Sequence, residues 1–400
     1  MSILFKIFAS TLAVVSVVNA GELLNFENER DIIRGSYIVV MKDGTSSSDL
    51  KSHMNWAANV HHGNLAKQGP SRSTGFQFSF DIGGWRGYSG KFDNDTLNAI
   101  VNNAHVKYVE PDRMASATVL KIQKNAPSWG LGRISHTFRG FKNYLYHSSA
   151  GEGVLAYVVD TGIDINHPEF EGRAEWGINV VDEVDTDEHG HGTHVAGTIG
   201  SKTFGVAKKV KLVAVKALGK DSRGPDSGII AAMDWAVKHA KERGILGKAI
   251  MNLSLTGDTA TALNEAAERA VEEGLFLGVA AGNNNRDAIN ESPASVETVC
   301  TAGASAENDE KASFSNFGSL LDIYAPGNKI ISTLPGGGNG TMSGTSMAAP
   351  HVCGVAALLM SSEGIKAQEA CDRIKKLARP AIRNPGNSTT NKLLYNKSGF

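Results

Sequence analysis

The chain has 400 residues, a length that predicts either two folded units or one large unit with additions. Its 40 lysine and arginine residues nearly balance its 41 aspartate and glutamate residues, which gives a formal charge of -1. This balance favours neither a nucleic-acid partner nor an anionic membrane surface, and the ordinary apolar content predicts a soluble globular protein.

The first twenty residues form a distinct segment. Lys6 precedes a mostly apolar run from residue 7 to residue 18, and the segment ends in Val18-Asn19-Ala20, which is typical of a signal-peptidase site. The run is too short to span a bilayer comfortably, and no later segment reaches about 18 apolar residues. The pattern therefore predicts a signal peptide at residues 1–20 and a secreted, extracellular protein that can form disulfide bonds.

A small α+β pattern follows the signal peptide. Residues 36–41 predict a strand, a polar helix-compatible stretch comes next, and the residues from Phe76 alternate with period two. Residues 95–106 predict a helix and residues 106–109 a last strand. This β-α-β-β-α-β order is sufficient for a small domain whose folded part covers about residues 36–109.

Residues 110–127 show no clear period and predict an exposed linker, which places a domain boundary there. From about Leu131, short β-branched runs alternate with longer helical patterns, which predicts a mainly parallel sheet covered by helices on both faces. The predicted strands are residues 154–160, 211–218, 248–255, 275–281 and 297–305, and the predicted helices are residues 192–199, 226–243, 259–273 and 345–361. In such folds the site lies at the carboxyl ends of the strands, where Asp160 and Asn283 fall.

The stretch EHGHGTHVAG contains three histidines within six residues, a cluster that is compatible with either metal binding or catalysis. Imidazole is the commonest metal ligand, so His189, His191 and His194 could form a zinc site. The zinc motif H-x-H-x-D-H has an aspartate where this sequence has Thr193, and no second cluster of histidines and acidic residues stands out. The sequence therefore favours His191 as a catalytic base, with His194 packed and hydrogen-bonded and His189 exposed in a loop.

Three segments supply the groups of a catalytic triad. VVDTGID places Asp160 at the end of an apolar strand, HGTHVAG places His191 at the start of a helix, and SGTSMAAPHVCG places Ser346 in the first turn of another helix. A serine hydroxyl needs a histidine to take its proton, and the imidazole needs a carboxylate to fix its tautomer. Taken singly, each residue has an ordinary structural role, as a cap or a buried polar group. Together they predict a triad.

The order Asp, His, Ser is that of subtilisin, and the three segments resemble the signatures of the subtilisin-like serine proteases. The stretches NAPSWGLGRIS, SPAS, SFSNFGS and SGTSMAAPHV are similar to the secreted fungal proteinase K branch of that family. The resemblance covers residues 117–400 as the peptidase domain and implies that residues 21–116 are an inhibitory propeptide. It implies a serine endopeptidase of broad specificity, made as a zymogen that lays residues 110–116 along its cleft and cleaves itself near Ser116–Ala117.

The resemblance also implies which residues contact the substrate. VAAGNNN resembles the oxyanion-hole segment, so the amide of Asn283 would act beside the backbone N–H of Ser346. The implied substrate contacts are Ser254, Leu255, Thr256, Gly282, Ser222 and Asp226. The family usually has glycine where Thr256 stands, which puts the width of the specificity pocket in doubt. Asp226 would border the pocket for the fourth side chain upstream of the cut, or it would only cap a helix starting at residue 227.

Three cysteines predict one disulfide bond and one leftover thiol. The resemblance implies the pair Cys300–Cys371, which leaves Cys353 as a small buried hydrophobe. It also implies a structural calcium ion held by the carboxylate of Asp322 and the backbone carbonyls of Glu297 and Val299, whereas the alternative for Asp322 is a solvated surface residue. No cofactor is expected for catalysis.

Several N-x-S/T sequons are present, and Asn387 and Asn396 near the C-terminus are the predicted glycosylation sites. The expected partners are protein substrates and the chain's own propeptide, with no nucleic acid and no membrane, and the expected state is a monomer. Two alternatives remain, a catalytically silent homologue that binds proteins and a zinc hydrolase that uses the histidine cluster. An esterase is weaker still, since no G-x-S-x-G elbow surrounds Ser346.

Overall fold

The computed structural model describes residues 21–26, 32–68, 75–114 and 120–398. The chain divides into two compact units, residues 1–117 and 118–400. The predicted signal peptide at residues 1–20 and the predicted cleavage point at Ser116–Ala117 lie outside the described residues. No helix in the described part of the chain is long and apolar enough to cross a membrane.

The N-terminal unit is a five-stranded sheet with two helices, which confirms the predicted small α+β domain. Its elements are β1 (Glu22–Leu23), β2 (Ile32–Met41), α1 (Ser47–Gln68), β3 (Gly75–Ile82), β4 (Trp85–Lys91), α2 (Asn94–Val101) and β5 (Val106–Arg113). The strand order is β1-β5-β2-β4-β3, and only the short β1–β5 pair is parallel. Val39, Tyr88, Phe92 and Ile100 form the centre of its apolar core.

The folded part of this unit is larger than the predicted residues 36–109. Strand β2 begins at Ile32, and β5 continues to Arg113 because Ile38 pairs with Glu110 and Tyr37 with Pro111. The first residues of the predicted linker therefore belong to the sheet. Its later residues also include a strand, β6 (Leu120–Gln123), in the second unit.

The second unit contains the remaining elements. They are β6 (Leu120–Gln123), α3 (Trp129–Ser135), β7 (Tyr144–His147), β8 (Leu155–Asp160), β9 (Ala174–Asn179), α4 (His191–Gly200), β10 (Lys211–Lys216), α5 (Asp226–Glu242), β11 (Ala249–Leu253), β12 (Gly257–Asp258), α6 (Thr261–Glu272), β13 (Leu275–Ala280), β14 (Glu291–Ser292), β15 (Cys300–Ser305), β16 (Ile323–Pro326), β17 (Ile330–Leu334), β18 (Gly338–Met342), α7 (Thr345–Glu363), α8 (Ala370–Leu377), β19 (Arg379–Pro380) and β20 (Lys392–Leu393).

A nine-stranded sheet with helices on both faces forms the core of the second unit, as predicted. Its strand order is β19-β20-β16-β15-β13-β11-β8-β10-β9, parallel throughout except for β19 at one edge. Side chains of a strand alternate between faces. Ala156 and Val158 of β8 therefore pack with α4 and α7, whereas Tyr157 and Val159 pack with α5 and α6.

Strand β8 is the point where the order of the sheet reverses. After β8 the chain adds β10 and β9 on one side, and from β11 onward it builds the sheet on the other side. Ligands of open α/β sheets bind at such a switch point, outside the carboxyl ends of the strands. Asp160 is the last residue of β8, so it lies at this position.

Candidate active site

Asp160 and His191 form a hydrogen-bonded pair at the carboxyl end of β8. The imidazole Nδ1 of His191 lies 2.8 Å from Oδ1 of Asp160, and that carboxylate is fully buried. Burial favours the neutral imidazole, but the charge of Asp160, its hydrogen bond and the charge of Asp187 together raise the pKa of His191 above its usual value. The pairing fixes Nδ1 as the ring's N–H donor and leaves Nε2 as the ring's basic nitrogen.

Two glycines bring helix α4 against the end of β8. Gly190, the N-cap of α4, has a φ of 94°, a left-handed conformation that glycine adopts without a Cβ clash. A Cβ at Gly192 would collide with the carbonyl oxygen of Gly162. This close approach places His191, the first residue of α4, beside Asp160.

Ser346 is the second residue of α7, and its side chain is partly exposed. Its hydroxyl donates to the carbonyl oxygen of Ser254 at 3.1 Å. The hydroxyl of Ser254 in turn donates to the carbonyl oxygen of Ser346 at 2.8 Å. In this resting arrangement the serine proton is held by a backbone oxygen, so proton transfer to an imidazole requires the Ser346 side chain to turn away from Ser254.

Asn283 follows strand β13, and Thr345 fixes the orientation of its amide. The Oδ1 atom of Asn283 accepts from the backbone N of Thr345 at 2.8 Å and from the Thr345 hydroxyl at 2.9 Å. With the oxygen occupied, the Nδ2 group is left as the donor that the side chain can offer to a ligand. Gly282 completes this turn with a φ of 100°, and a Cβ there would clash with Asn316.

The predicted substrate contacts lie on three separate segments. Ser254 to Thr256 follow strand β11, with Ser254 buried and Leu255 and Thr256 partly exposed. Ser222 lies in the loop before α5 with a φ of 59°. Asp226 is the first residue of α5 and is exposed, and its N-cap is Pro225. The alternative role of Asp226 as the cap of a helix starting at residue 227 is therefore wrong.

The three histidines of the cluster do not converge on one point. His194 is buried, its Nε2 donates to the carbonyl oxygen of Ile330 at 3.0 Å, and burial lowers its pKa to about 4. His189 is exposed in the loop, and His191 is engaged by Asp160. This arrangement agrees with the roles that the sequence suggested for each histidine and argues against a shared zinc ion.

The structure contains a disulfide bond between Cys300 and Cys371, with 5.7 Å between their Cα atoms. It joins β15 to α8. Cys353 is a free, buried thiol on α7.

The surroundings of Asp322 do not suit the implied calcium ion. Its Oδ2 accepts from the backbone N of Thr301 at 2.9 Å, and its Oδ1 lies 3.1 Å from the ammonium of Lys375. An internal cation therefore already neutralises the one carboxylate of the implied ligand set, and Glu297 and Val299 would add only carbonyl oxygens. Among the described residues, metal-ligating side chains also lie together at Cys300, Asp322 and Cys371, but two of these are joined in the disulfide bond.

The two predicted glycosylation sites differ in exposure. Asn387 is exposed. Asn396 is 5 % exposed, and its amide nitrogen donates to the carbonyl oxygen of Leu145 at 2.8 Å. A buried nitrogen that is already hydrogen-bonded is a poor attachment point for a glycan, so the folded structure disfavours the predicted site at Asn396.

Two residues near the site carried no signal in the sequence. Thr345 looks like an ordinary helix-start residue, although it orients Asn283. Asp187 lies among other acidic residues in VVDEVDTDEHG, a composition that indicates a solvated loop, yet it is 4 % exposed. Neither role can be inferred from residue type, because each depends on a neighbour more than 25 residues away.

The fold and the site define the class of the protein: an α/β enzyme with a carboxylate–imidazole pair at its switch point and a serine in the first turn of a facing helix. A model of the subtilase family matches residues 151–391, and a model of the peptidase inhibitor I9 matches residues 36–118. The chain belongs to the subtilase family of serine proteases and carries an I9 inhibitor propeptide, so it is a serine protease zymogen.

Several relatives agree with this assignment. The chain is 94% identical over 400 residues to a subtilisin-like protease of Coccidioides posadasii, with 100% of both chains covered. It is 52% identical over 394 residues to subtilisin-like protease 3 of Arthroderma otae, covering 98% of this chain and 99% of that one. The crystal structure of a cold adapted subtilisin-like serine proteinase matches with a TM-score of 0.64 and 42% identity, covering 68% of this chain and 99% of that chain.

Proposed function

We propose that this chain is a secreted serine endopeptidase of broad specificity that hydrolyses peptide bonds with Ser346, His191 and Asp160. The observation that carries the proposal is the 2.8 Å contact between His191 Nδ1 and the buried Asp160 carboxylate. A buried carboxylate in this position holds the imidazole in the tautomer whose Nε2 can accept a proton. Ser346, on the first turn of α7, is the nucleophile that would use it.

The reaction would proceed through an acyl-enzyme. The Ser346 hydroxyl leaves the carbonyl oxygen of Ser254, gives its proton to His191 Nε2, and attacks the carbonyl carbon of the substrate. His191, now an imidazolium stabilised by Asp160, returns the proton to the leaving amine. A water molecule then repeats the sequence with His191 as base, releases the acyl group and restores the serine hydroxyl.

The negative charge on the carbonyl oxygen would be stabilised by two donors, the Nδ2 group of Asn283 and the backbone N–H of Ser346. The orientation of Asn283 supports this role, because Thr345 occupies its Oδ1 atom and so fixes the amide before the substrate arrives. A preorganised donor of this kind stabilises the transition state by about 3 kcal/mol.

The substrate would bind in an extended conformation as an added strand along edge segments of the enzyme. Ser254, Leu255, Thr256 and Gly282 would form the walls of the primary pocket, and residues 222–226 would pair with the chain upstream of the cut. The exposed carboxylate of Asp226 would favour a basic side chain in the fourth position upstream of the cut. An exposed ion pair contributes about 0.2–1 kcal/mol, so the preference for lysine over glutamate should be about two- to tenfold, counting the avoided repulsion.

Maturation would follow secretion and self-cleavage. The segment at residues 1–20 would direct export, and the chain would cut itself near Ser116–Ala117 to separate the I9 propeptide from the protease. The mature enzyme would be a monomer with protein substrates, with neither nucleic acid nor a membrane as a partner. A glycan on the exposed Asn387 is compatible with this route.

Labelling with a serine-directed phosphonate tests the proposal. The reagent should modify Ser346, and Ser346→Ala should lower peptide hydrolysis by about four to six orders of magnitude, because the members of a triad act as a unit. Ser343→Ala changes an exposed serine of the same segment and is the matched control, with activity close to that of the wild type.

The precursor provides a second readout. Ser346→Ala should accumulate as the uncleaved form, beginning near Gly21, in a host without related proteases. An unlabelled Ser346 in the wild-type protein together with normal processing of the variant would instead favour a catalytically silent binding protein.

A further inference from the structure

The loop that precedes the catalytic histidine contains a buried carboxylate with an unusual number of donors. Asp187 accepts five hydrogen bonds. They come from the Thr161 hydroxyl at 2.7 Å, the Gly190 N at 2.7 Å, the His189 N at 3.1 Å, the Thr193 N at 2.8 Å and the Thr193 hydroxyl at 2.6 Å. The donors lie on both sides of His191 in the sequence and at the end of β8.

Asp187 takes over the capping of helix α4. The N-cap of that helix is Gly190, which has no side chain to accept from the first free amides of the helix. Oδ2 of Asp187 accepts from the third helical residue, Thr193, and the hydroxyl of Thr161 accepts from the second, Gly192, at 2.9 Å. The start of α4 is therefore held by two side chains from outside the helix.

The contact between Thr161 and the start of α4 lies next to the hydrogen bond between Asp160 and His191. The Asp160 carboxylate is hydrogen-bonded to the His191 ring. The residues that follow these two in the chain are also hydrogen-bonded to each other, because the backbone N of Gly192 donates to the Thr161 hydroxyl. Asp187 holds the hydroxyl of Thr161 at 2.7 Å, which directs the oxygen's lone pairs toward the Gly192 amide. Two adjacent bonds between the end of β8 and the start of α4 fix the distance and the angle at which the imidazole meets Asp160.

We propose that Asp187, acting through Thr161, is a positioning residue of this protease that sets the geometry of His191. The proposal rests on the proposed role of His191 as the general base. The hydrogen bonds of the buried Asp187 carboxylate go to residues that flank His191 and to Thr161, and none goes to the side chains of Asp160, His191 or Ser346. Its effect on the rate comes from holding His191 within the narrow range of positions that allows proton transfer from Ser346.

The charge of Asp187 supplies the second part of the role. Four titratable groups surround the imidazole of His191: Asp160 on β8, Asp187 and His189 in the loop, and His194 on α4. The lysine on the neighbouring strand β10, Lys216, is paired with Asp182 and Glu188 instead. Together with Asp160, the negative charge of Asp187 raises the pKa of His191, against the effect of burial. Removing that charge should lower the pKa of the base.

The test compares Asp187→Asn with Glu183→Gln, which removes the same charge from an exposed position in the same loop. Mature enzyme is counted by titration with a serine-directed phosphonate, so that a lower yield of folded protein does not affect the rates. For Asp187→Asn, kcat per titrated site should fall about ten- to a hundredfold with KM little changed, because the base is misplaced. The acidic limb of its kcat/KM profile should also move to lower pH, since that limb reports the pKa of the base in the free enzyme. Glu183→Gln should match the wild type in both.

Thr161 provides a second pair of variants in case Asp187→Asn yields no mature enzyme. Thr161→Val removes the bridging hydroxyl and should lower kcat. Thr161→Ser retains the hydroxyl and should have the kcat of the wild type. The positioning role is wrong if Thr161→Val loses thermal stability but keeps the wild-type kcat per site and the wild-type acidic limb. The same outcome for Asp187→Asn, where that variant matures, would also contradict it. An active Ser346→Ala enzyme would instead overturn the proposed function itself, which separates the two failures.

Discussion

Ser254 and Ser346 exchange two hydrogen bonds, each hydroxyl donating to the backbone carbonyl of the other residue. The exchange ties the segment after β11 to the first turn of α7. Asn252 extends it, because its amide donates to the Ser254 hydroxyl at 2.9 Å. The proposed wall of the specificity pocket and the proposed nucleophile are thus held by one continuous chain of hydrogen bonds.

Ser254→Ala should therefore affect both stability and catalysis. The change leaves the buried amide of Asn252 without its acceptor, which costs about 1–3 kcal/mol of unfolding free energy. It also loosens the turn that carries Ser346, and kcat should fall about tenfold. Ser295→Ala is the control, because it removes a similar partner from Asn264, away from the site. Equal kcat values in the two variants would show that the exchange matters only for folding.

Thr345→Val should impair catalysis without impairing binding. Its hydroxyl donates to Asn283 and accepts from the backbone N of Gly282, so the variant leaves the Asn283 amide held by only the backbone N of Thr345 and loosens its orientation. Asn283→Ala should lower kcat about a hundred- to a thousandfold, and Thr345→Val should lower it by less, with KM nearly constant. Thr345→Ser keeps the hydroxyl and should behave like the wild type.

A double-mutant cycle decides whether Thr345 acts through Asn283. In the Asn283→Ala background, Thr345→Val should have little further effect on kcat. Independent, multiplicative losses would contradict the orienting role of Thr345.

The sequence predicts the strands that carry the site better than it predicts their surroundings. The ends of β8 and β13 are predicted to within one residue, because apolar runs stop at Asp160 and Gly282. Strand β9 is missed, since it alternates weakly and contains Gly177, where a Cβ would clash with Trp235. That strand is specified by packing against α5 rather than by local pattern.

Helix α2 shows how a few polar residues can end an element that an apolar pattern extends. The sequence pattern predicts a helix that continues to residue 106, but the helix ends at Val101. The side chain of Asn102 donates back to the carbonyl oxygen of Asn98, and Asn103 accepts from the backbone N of His105. These local bonds turn the chain into β5, and they depend on conformation as well as on residue type.

Acid should weaken the N-terminal unit through His53. This histidine is 5 % exposed and lies 3.0 Å from the Tyr88 hydroxyl, and burial, with a smaller effect of His105, lowers its pKa from 6.5 to about 4. The unfolded chain therefore binds more protons than the folded unit between these values. Stability that is present above pH 6.5 is lost as the pH falls toward 4.

Hydrogen exchange in the Ser346→Ala precursor measures this loss. The opening free energy of amides in β2 and β4 should drop between pH 7 and pH 5. His53→Gln removes the titrating group and should flatten the drop, whereas the exposed His62→Gln, on the same helix, should leave it unchanged. The role of His53 is contradicted if all three proteins show the same pH dependence.

Calcium should add little stability to this enzyme while Lys375 is present. The lysine lies 3.1 Å from Asp322 and also 3.1 Å from Asp372, so its ammonium already supplies positive charge where the family resemblance implies a metal ion. A cation would have to displace Lys375 before it could reach the carboxylate. The midpoint of thermal unfolding should therefore be the same in calcium and in a chelator.

Lys375→Met separates the lysine from the rest of the site, because methionine keeps much of the apolar stem and loses the charge. If the carbonyl oxygens of Glu297 and Val299 can complete a calcium site, this variant should gain stability from added calcium, about 2.7 kcal/mol at a concentration a hundred times the Kd. Lys376→Met, which changes the neighbouring lysine of α8, is the matched control and should remain insensitive to calcium. A calcium-dependent rise in the wild-type midpoint that Asp322→Asn abolishes would show that the ion binds in spite of Lys375.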